Sequence, residues 1–133
     1  MRPLAVSMGD PAGIGLELAA RVLAEGGAPP FFLVGDPDAL ERAFMRLGIA
    51  TPPIVTYAQG AEISAEETGV QVLRTPLAME ETPGAPDPVN AAAVIHAIEA
   101  GANAVRAGHA SALVTLPIAK AELYAAGFGF PGH

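Results

Sequence analysis

The sequence predicts an α/β fold in which helices flank a mostly parallel sheet. Three observations indicate this class. Short apolar runs alternate with helical patterns in the first half, a glycine-rich turn joins the first apolar run to the first helix, and a long helical stretch precedes a further apolar run. Such alternation of strands and helices is typical of a parallel sheet with helical connections. We therefore expect residues 1–133 to form a single α/β piece.

The first half is predicted to form two strand–helix units, followed by two shorter strands. The units consist of a strand over Leu4 to Val6, a helix over Leu16 to Glu25, a strand over Phe31 to Val34 and a helix over Ala39 to Leu47. Apolar residues recur every three or four positions in both helices, as expected when one face is buried. Ile54 to Tyr57 and Val70 to Leu73 are rich in β-branched residues and bounded by turn formers, so they predict strands.

The second half begins with a segment that cannot be helical. Residues 75–88 contain four prolines and a glycine, which predicts a loop or a mobile arm. Val89 to Arg106 forms the longest helical pattern, and Gly108 is suited to cap its end. Ala112 to Thr115 predicts a central strand, after which Pro117 is expected to open a helix that ends at Gly127.

The glycine-rich turn from Met8 to Glu17 is the segment best suited to meet a ligand. Gly9, Gly13 and Gly15 leave the backbone bare, and the first N–H groups of the following helix favour an anion. The spacing matches neither a P-loop nor a dinucleotide fingerprint. We therefore predict that the turn lines a cleft without cradling a dinucleotide diphosphate. A Cβ atom at Gly13 or Gly15 would close the approach or demand a strained angle; alternatively, the glycines only permit tight packing between strand and helix.

Asp36 has two interpretations. It follows the second strand about 20 residues after the glycines, where a ribose-binding acid stands in dinucleotide-binding units. It also precedes Pro37 and a helical pattern, where an aspartate caps a helix, a role that Asp38 could fill as well. The cap is the favoured interpretation.

Lys120 is the leading candidate for chemistry among the charged residues. A lysine in the first helical turn opposes the helix dipole, so a bound anion or a nearby carboxylate would explain its position. Contact with a phosphate, contact with a carboxylate and pairing with Asp10 are all compatible, and an ordinary solvated lysine is the alternative. His96 lies off the apolar stripe of the long helix and is expected to be an exposed, non-ligating histidine.

The composition excludes several classes of protein. Fourteen acidic residues against seven basic ones argue against binding to nucleic acid. The sequence contains no cysteine, no signal peptide and no apolar run long enough to cross a membrane, so a cytoplasmic protein is expected. Charged residues are few, at 16%, and hydrophobic ones reach 51%, which suggests that a partner covers part of the surface.

Two ordered motifs resemble the 4-hydroxythreonine-4-phosphate dehydrogenase family. The first is Gly9-Asp10-Pro11-Ala12-Gly13-Ile14-Gly15, followed by Leu16, where the family commonly has proline, and then Glu17. The second runs from Leu113 to Lys120 and continues through Ala125-Ala126-Gly127 to Phe130-Pro131-Gly132-His133. It is similar to the family's Thr-Ala-Pro-Ile-Asn-Lys segment and Pro-Gly-His-Thr-Glu turn. The chain departs from the family pattern at Leu116 and Ala119, where alanine and asparagine are common.

The resemblance implies a fold, a reaction and partners. The fold would be part of the isocitrate/isopropylmalate dehydrogenase type, in a homodimer whose active site lies at the subunit junction. The reaction would be oxidation of 4-hydroxythreonine 4-phosphate with NAD or NADP, followed by loss of carbon dioxide, on the route to pyridoxal 5'-phosphate. The resemblance also implies a divalent metal, which would be zinc, magnesium or cobalt. Residues absent from this chain would bind this metal and would make most of the contacts with the nicotinamide cofactor.

The resemblance also assigns roles to individual residues. Lys120 and Asp10 would be catalytic, and His133 and Lys120 would bind the phosphorylated substrate. The chain would be the N-terminal portion of a longer two-domain enzyme, inactive by itself. Two alternatives stay open: a related dehydrogenase acting on another phosphorylated or vicinal hydroxy acid, and a non-catalytic module that binds anions.

Overall fold

A computed structural model describes residues 2–64 and 69–118 of the chain. The described elements are β1 (Leu4–Ser7), α1 (Gly15–Glu25), β2 (Phe31–Gly35), α2 (Pro37–Leu47), β3 (Ile54–Tyr57), β4 (Val70–Arg74), α3 (Ala91–Arg106) and β5 (Leu113–Thr115). A 3-10 turn over Pro88–Asn90 leads into α3. The predicted elements are thus confirmed within one or two residues at their ends, apart from the helix predicted from Pro117 to Gly127, which lies mostly outside the described residues.

The five strands form one parallel sheet in the order β3-β4-β2-β1-β5. β5 pairs with β1 and lies at the edge of the described sheet, so the prediction of a central strand was wrong for this part of the chain. The apolar pattern could not distinguish the two positions. One face of β5 still packs on α3 through Leu113, whereas Val114 on the other face is 43% exposed.

Helices cover both faces of the sheet. The connection through α1 leads from β1 to β2, whereas α3 leads in the opposite direction along the sheet to β5. Because both crossovers are expected to be right-handed, they place their helices on opposite faces. Phe32 and Phe44 are fully buried in the core. On α3, Gly101 allows close packing, since a Cβ there would lie 2.6 Å from a methyl carbon of Leu113.

The helix ends confirm two sequence predictions. Asp36 caps α2: its Oδ1 accepts the N–H groups of Asp38 at 2.8 Å and Ala39 at 3.4 Å, and Pro37 occupies the first turn. Gly108 follows α3 with a φ of +83°, and the N–H of His109 donates to the carbonyl of Ala104, as in a Schellman motif. Among the described residues no helix has the length and apolar character needed to span a membrane.

Candidate ligand cleft at the carboxyl edge of the sheet

Two of the connections that leave the carboxyl edge of the sheet form the walls of a cleft. The glycine loop (residues 8–14) follows β1, and the strap (residues 75–87) follows β4. β1 is flanked by β2 on one side and β5 on the other, so the chain leaves it in one direction and returns on the opposite side. In open parallel sheets, ligands bind outside the carboxyl ends of the strands at such a switch point.

The glycine loop lies against the chain that leaves β5. Gly9 has a φ of +70°, and a Cβ there would lie 2.3 Å from the carbonyl oxygen of Pro117. The N–H of Asp10 donates to the same oxygen at 2.9 Å. At Gly15 a Cβ would lie 3.0 Å from both the Cβ of Leu116 and the carbonyl oxygen of Met8. These glycines therefore serve close packing, and Leu116, one of the departures from the family pattern, lies at this contact.

The strained backbone angle predicted as one possibility for Gly13 was wrong, whereas closure of a ligand's approach by a Cβ there stays a prediction. Its φ lies outside the positive range, and the nearest atom to a Cβ there would be the carbonyl oxygen of Asp10, at 3.4 Å. Of the three glycines in the motif, Gly9 is the one with a left-handed conformation. The alternative interpretation, tight packing between strand and helix, is confirmed at Gly15.

Asp10 is half-buried and shapes the loop that contains it. Its Oδ1 accepts the N–H of Ala12 at 2.9 Å, and its carbonyl accepts the N–H of Gly13 at 3.0 Å. The first bond forms an Asx turn, which fixes the direction of the carboxylate, and the second closes a backbone turn over the same residues. The ion pairs found among the described residues do not involve Asp10. Its predicted partner Lys120 lies outside the described residues, as does His133.

The strap is anchored at its centre by Glu81. This side chain is 0% exposed and accepts hydrogen bonds from Arg42, with a shortest distance of 2.6 Å, and from Arg46 at 3.1 Å. The two arginines stand one turn apart on α2. Arg46 also donates to Glu17 in the first turn of α1 at 3.1 Å. One buried carboxylate therefore joins the strap to both helices on this face of the sheet.

The electrostatics of this cluster favour the charged state of both partners. Burial by itself raises the pKa of Glu81, but hydrogen bonds from Arg42, from the backbone and from Arg46 outweigh it, and the pKa of Glu81 is lowered. The hydrogen bond to Glu81 raises the pKa of Arg42. Glu81 is thus an ionised carboxylate whose charge is balanced by Arg42 and Arg46.

Three further contacts hold the strap. Near its start, the N–H of Leu77 donates to Oδ2 of Asp36 at 2.9 Å. The buried Asn90 accepts the N–H of Met79 at 3.0 Å and donates to its carbonyl at 2.9 Å. Gly84 donates its N–H to the carbonyl of Ala12 in the glycine loop at 2.8 Å. The prediction of a loop at 75–88 is confirmed, but these anchors do not fit a mobile arm.

Between the glycine loop and the strap lies a cleft of about 250 Å³. The glycine loop contributes Asp10, Pro11 and Ala12, and the opposite wall consists of strap residues and Asn90. Asp10 and Asp87 are carboxylates on its walls that take no part in the ion pairs of the described residues, and Glu80, which is exposed, lies 3.7 Å from Arg42. Such walls accept hydrogen bonds from hydroxyl or ammonium groups, whereas a phosphate would need cations from other residues.

The described residues do not provide a metal centre. No group of three or more histidine, cysteine, aspartate or glutamate side chains in the described part of the chain is arranged to hold a metal ion. The donor set for the metal that the resemblance implies is thus not found there. His96 is exposed on α3, as predicted. His109 lines a separate cavity of about 210 Å³ beside α3.

The sequence analysis missed the residues that build the strap wall. Arg42 and Arg46 lie four positions apart on an amphipathic helix. This spacing predicts that the two side chains share a face of the helix, but it does not predict which residue they bind. Glu81 lies among prolines and acids in a segment without periodicity, so no local signal marks it as buried. Asn90 could have been suspected from its position beside a proline-led helix start.

The fold and this cleft define an α/β protein with a candidate ligand cleft at the carboxyl edge of a parallel sheet. Comparison with known proteins identifies the family. Residues 28–133 match the family model described as pyridoxal phosphate biosynthetic protein PdxA. The chain belongs to this family.

Two relatives and one solved structure share the same name. The chain is 46% identical to 4-hydroxythreonine-4-phosphate dehydrogenase of Methylorubrum populi, covering 99% of this chain and 39% of that protein, and 44% identical to that of Methylorubrum extorquens with the same coverage. The crystal structure of the enzyme so named from Klebsiella pneumoniae superposes with a TM-score of 0.85 at 29% identity, covering 100% of this chain and 42% of that one. The chain thus spans about two-fifths of the length of these proteins.

Proposed function

We propose that this chain is the N-terminal portion of a nicotinamide-dependent dehydrogenase that oxidises 4-hydroxythreonine 4-phosphate in pyridoxal 5'-phosphate biosynthesis. The observation that carries the proposal is the alignment of 99% of the chain, at 46% identity, with a relative named for this substrate and reaction. The location of the cleft at the carboxyl edge of the sheet supports it, because that is where the fold offers a binding site.

We infer that the acidic walls of the cleft do not bind the phosphate by themselves. Asp10 faces the cleft from the glycine loop and would orient a hydroxyl or ammonium group of the substrate. Lys120 and His133 would supply the positive charge and hydrogen bonds that a phosphate requires. The carbon of the secondary alcohol would transfer its hydride to oxidised NAD or NADP while the hydroxyl proton leaves to solvent, and the resulting 3-oxo acid would lose carbon dioxide.

The metal and the dimer are part of the same proposal. A divalent metal would lower the energy of negative charge on the substrate oxygen. Since the described residues offer no donor set for it, no step of the reaction is assigned to it. A homodimer with an active site at the subunit junction, in the cytoplasm, completes the proposal.

The proposal is tested by comparing two polypeptides. One is the 133-residue chain, and the other is encoded by its reading frame continued beyond His133. We expect NAD(P)H formation from 4-hydroxythreonine 4-phosphate with the longer protein and none above a blank with the 133-residue chain. Steady hydride transfer by the short chain, or a stop codon directly after His133, would contradict it; the stop codon would favour a non-catalytic anion-binding module.

Lys120 is tested against His96 in the longer protein. Lys120→Ala removes a charged hydrogen bond to the substrate and should lower kcat/KM by roughly 10- to 150-fold, the equivalent of about 1.5–3 kcal/mol. His96→Ala is the matched control, because His96 is exposed on α3, and it should change little. Equal small effects of the two substitutions would return Lys120 to the role of a solvated surface residue.

A further inference from the structure

We propose that Glu81 is a positioning residue for the glycine loop and, through it, for the carboxylate of Asp10. The inference rests on the proposed function, because it concerns the wall of the cleft in which the substrate would bind. Glu81 itself is buried between Arg42 and Arg46 and does not need to touch a ligand. It acts through two routes, one that reaches the glycine loop at Ala12 and one that reaches the helix directly after the loop.

The first route runs through the strap. Three residues after Glu81, the N–H of Gly84 donates to the carbonyl of Ala12 at 2.8 Å. The N–H of Ala12 in turn donates to Oδ1 of Asp10 at 2.9 Å. A shift of the strap away from α2 therefore pulls on the peptide groups that set the direction of the Asp10 carboxylate.

The second route runs through α1. Arg46 donates to Glu81 with one nitrogen and to Glu17 with another, at 3.1 Å in each case. Glu17 lies in the first turn of α1, directly after the glycine loop. The strap, which contacts the loop at Ala12, and the start of the helix that follows the loop are thus both held by Arg46, and Glu81 is the buried carboxylate on which Arg46 is fixed.

The other contacts that hold the strap do not hold the segment that meets the glycine loop. Asp36 holds the strap at Leu77 and Asn90 holds it at Met79, both before the segment that meets the glycine loop. The strap should therefore stay attached when Glu81 is changed, while the contact between Gly84 and Ala12 loosens. The amide of Glu81→Gln retains one acceptor oxygen but presents N–H groups to two guanidinium groups, so the variant weakens the cluster without opening a cavity.

The kinetic test is a double-mutant cycle in the complete enzyme with Glu81→Gln and Asp10→Asn. We expect Glu81→Gln to lower kcat/KM about tenfold in the wild-type background and less than about twofold in the Asp10→Asn background, because the two residues act in series. Glu41→Gln, which changes an exposed carboxylate on α2, the helix that carries Arg42 and Arg46, is the matched control and should leave kcat/KM unchanged. Equal fold losses in both backgrounds would overturn the proposal.

A second measurement separates this proposal from the proposed reaction. Hydrogen exchange of the amide of Gly84 reports the contact with Ala12 whether or not the enzyme turns over this substrate. We expect faster exchange in Glu81→Gln than in wild type or Glu41→Gln. If Glu81→Gln does not fold, Arg46→Met takes its place. This variant removes only the hydrogen bond to Glu17 and one hydrogen bond to Glu81, and we again expect faster exchange at Gly84. Unchanged exchange at Gly84 in the folded variant overturns the proposal.

Discussion

The two walls of the cleft are built by different physical means. The glycine loop is fixed by backbone packing: Gly9 adopts a left-handed conformation directly against the carbonyl of Pro117. The strap is fixed by side chains, above all by Glu81 between two arginines of α2. A wall made by backbone packing tolerates no added atom, whereas a wall made by ion pairs depends on pH. The two walls should therefore be destabilised by different changes, the glycine loop by an added side chain and the strap by acidification or loss of Glu81.

The largest effect is expected from Gly9→Ala. The left-handed conformation should cost about 1–2 kcal/mol, and the contact of Cβ with backbone atoms about 1–3 kcal/mol more. Gly48→Ala is the matched control, since Gly48 has a φ of +69° and nothing within 4 Å of a Cβ. The free energies of unfolding, measured in urea, should show a clearly larger loss for Gly9→Ala. Equal losses would mean that packing against Pro117 does not fix the loop.

The next effect is expected at Glu81 and depends on pH. Loss of a carboxylate buried beside two partly exposed arginines should cost about 2–3 kcal/mol at neutral pH, somewhat less than for a fully buried pair. The pKa of Glu81 is lowered from 4.5, so its stabilisation is complete above pH 4.5 and is lost as the pH falls through the folded-state value. The difference in unfolding free energy between wild type and Glu81→Gln should shrink on acidification. A difference that stays constant from pH 7 to pH 3 would contradict the ion-pair account of the strap.

The smallest effect is expected from Gly13→Ala. Its φ is ordinary, and the nearest atom to the new Cβ lies at 3.4 Å, so stability should stay within about 1 kcal/mol of wild type. Gly15→Ala should lose more, because its Cβ would lie 3.0 Å from both Leu116 and the backbone of Met8. If Gly13→Ala proves the worse of the two, the loop is held by a contact that the described residues do not contain.

The same contrast explains which features of the fold could be predicted from the sequence. The strands, the helices and the Asp36 cap were predicted because each depends on residues close together in the chain. The glycine-rich turn was found for the same reason. The closeness of Gly9 to Pro117 and the burial of Glu81 depend on residues far apart in sequence, so no local pattern encodes them. The edge position of β5 depends likewise on pairing rather than on its own apolar content.

The candidate site was predicted in part. Asp10 lines the cleft, its carboxylate is also engaged in shaping its own loop, and its catalytic role stays a prediction. The roles of Lys120 and His133 stay predictions, since both lie outside the described residues. The strap, expected to be a loop or a mobile arm, supplies most of the opposite wall. A segment rich in proline and glycine gives little indication of burial, because its residues are ordered by contacts rather than by periodicity.

The measurement that tests the central claim most directly is a crystal structure of the complete enzyme with nicotinamide and substrate bound. The account predicts that the substrate lies in the cleft between the glycine loop and the strap, within hydrogen-bonding distance of Asp10. It also predicts that the diphosphate of the nicotinamide binds elsewhere, because the loop lacks the spacing of a dinucleotide fingerprint and carries a carboxylate beside its N–H groups. Diphosphate oxygens that accept hydrogen bonds from the N–H groups of residues 13 to 16 would contradict the account.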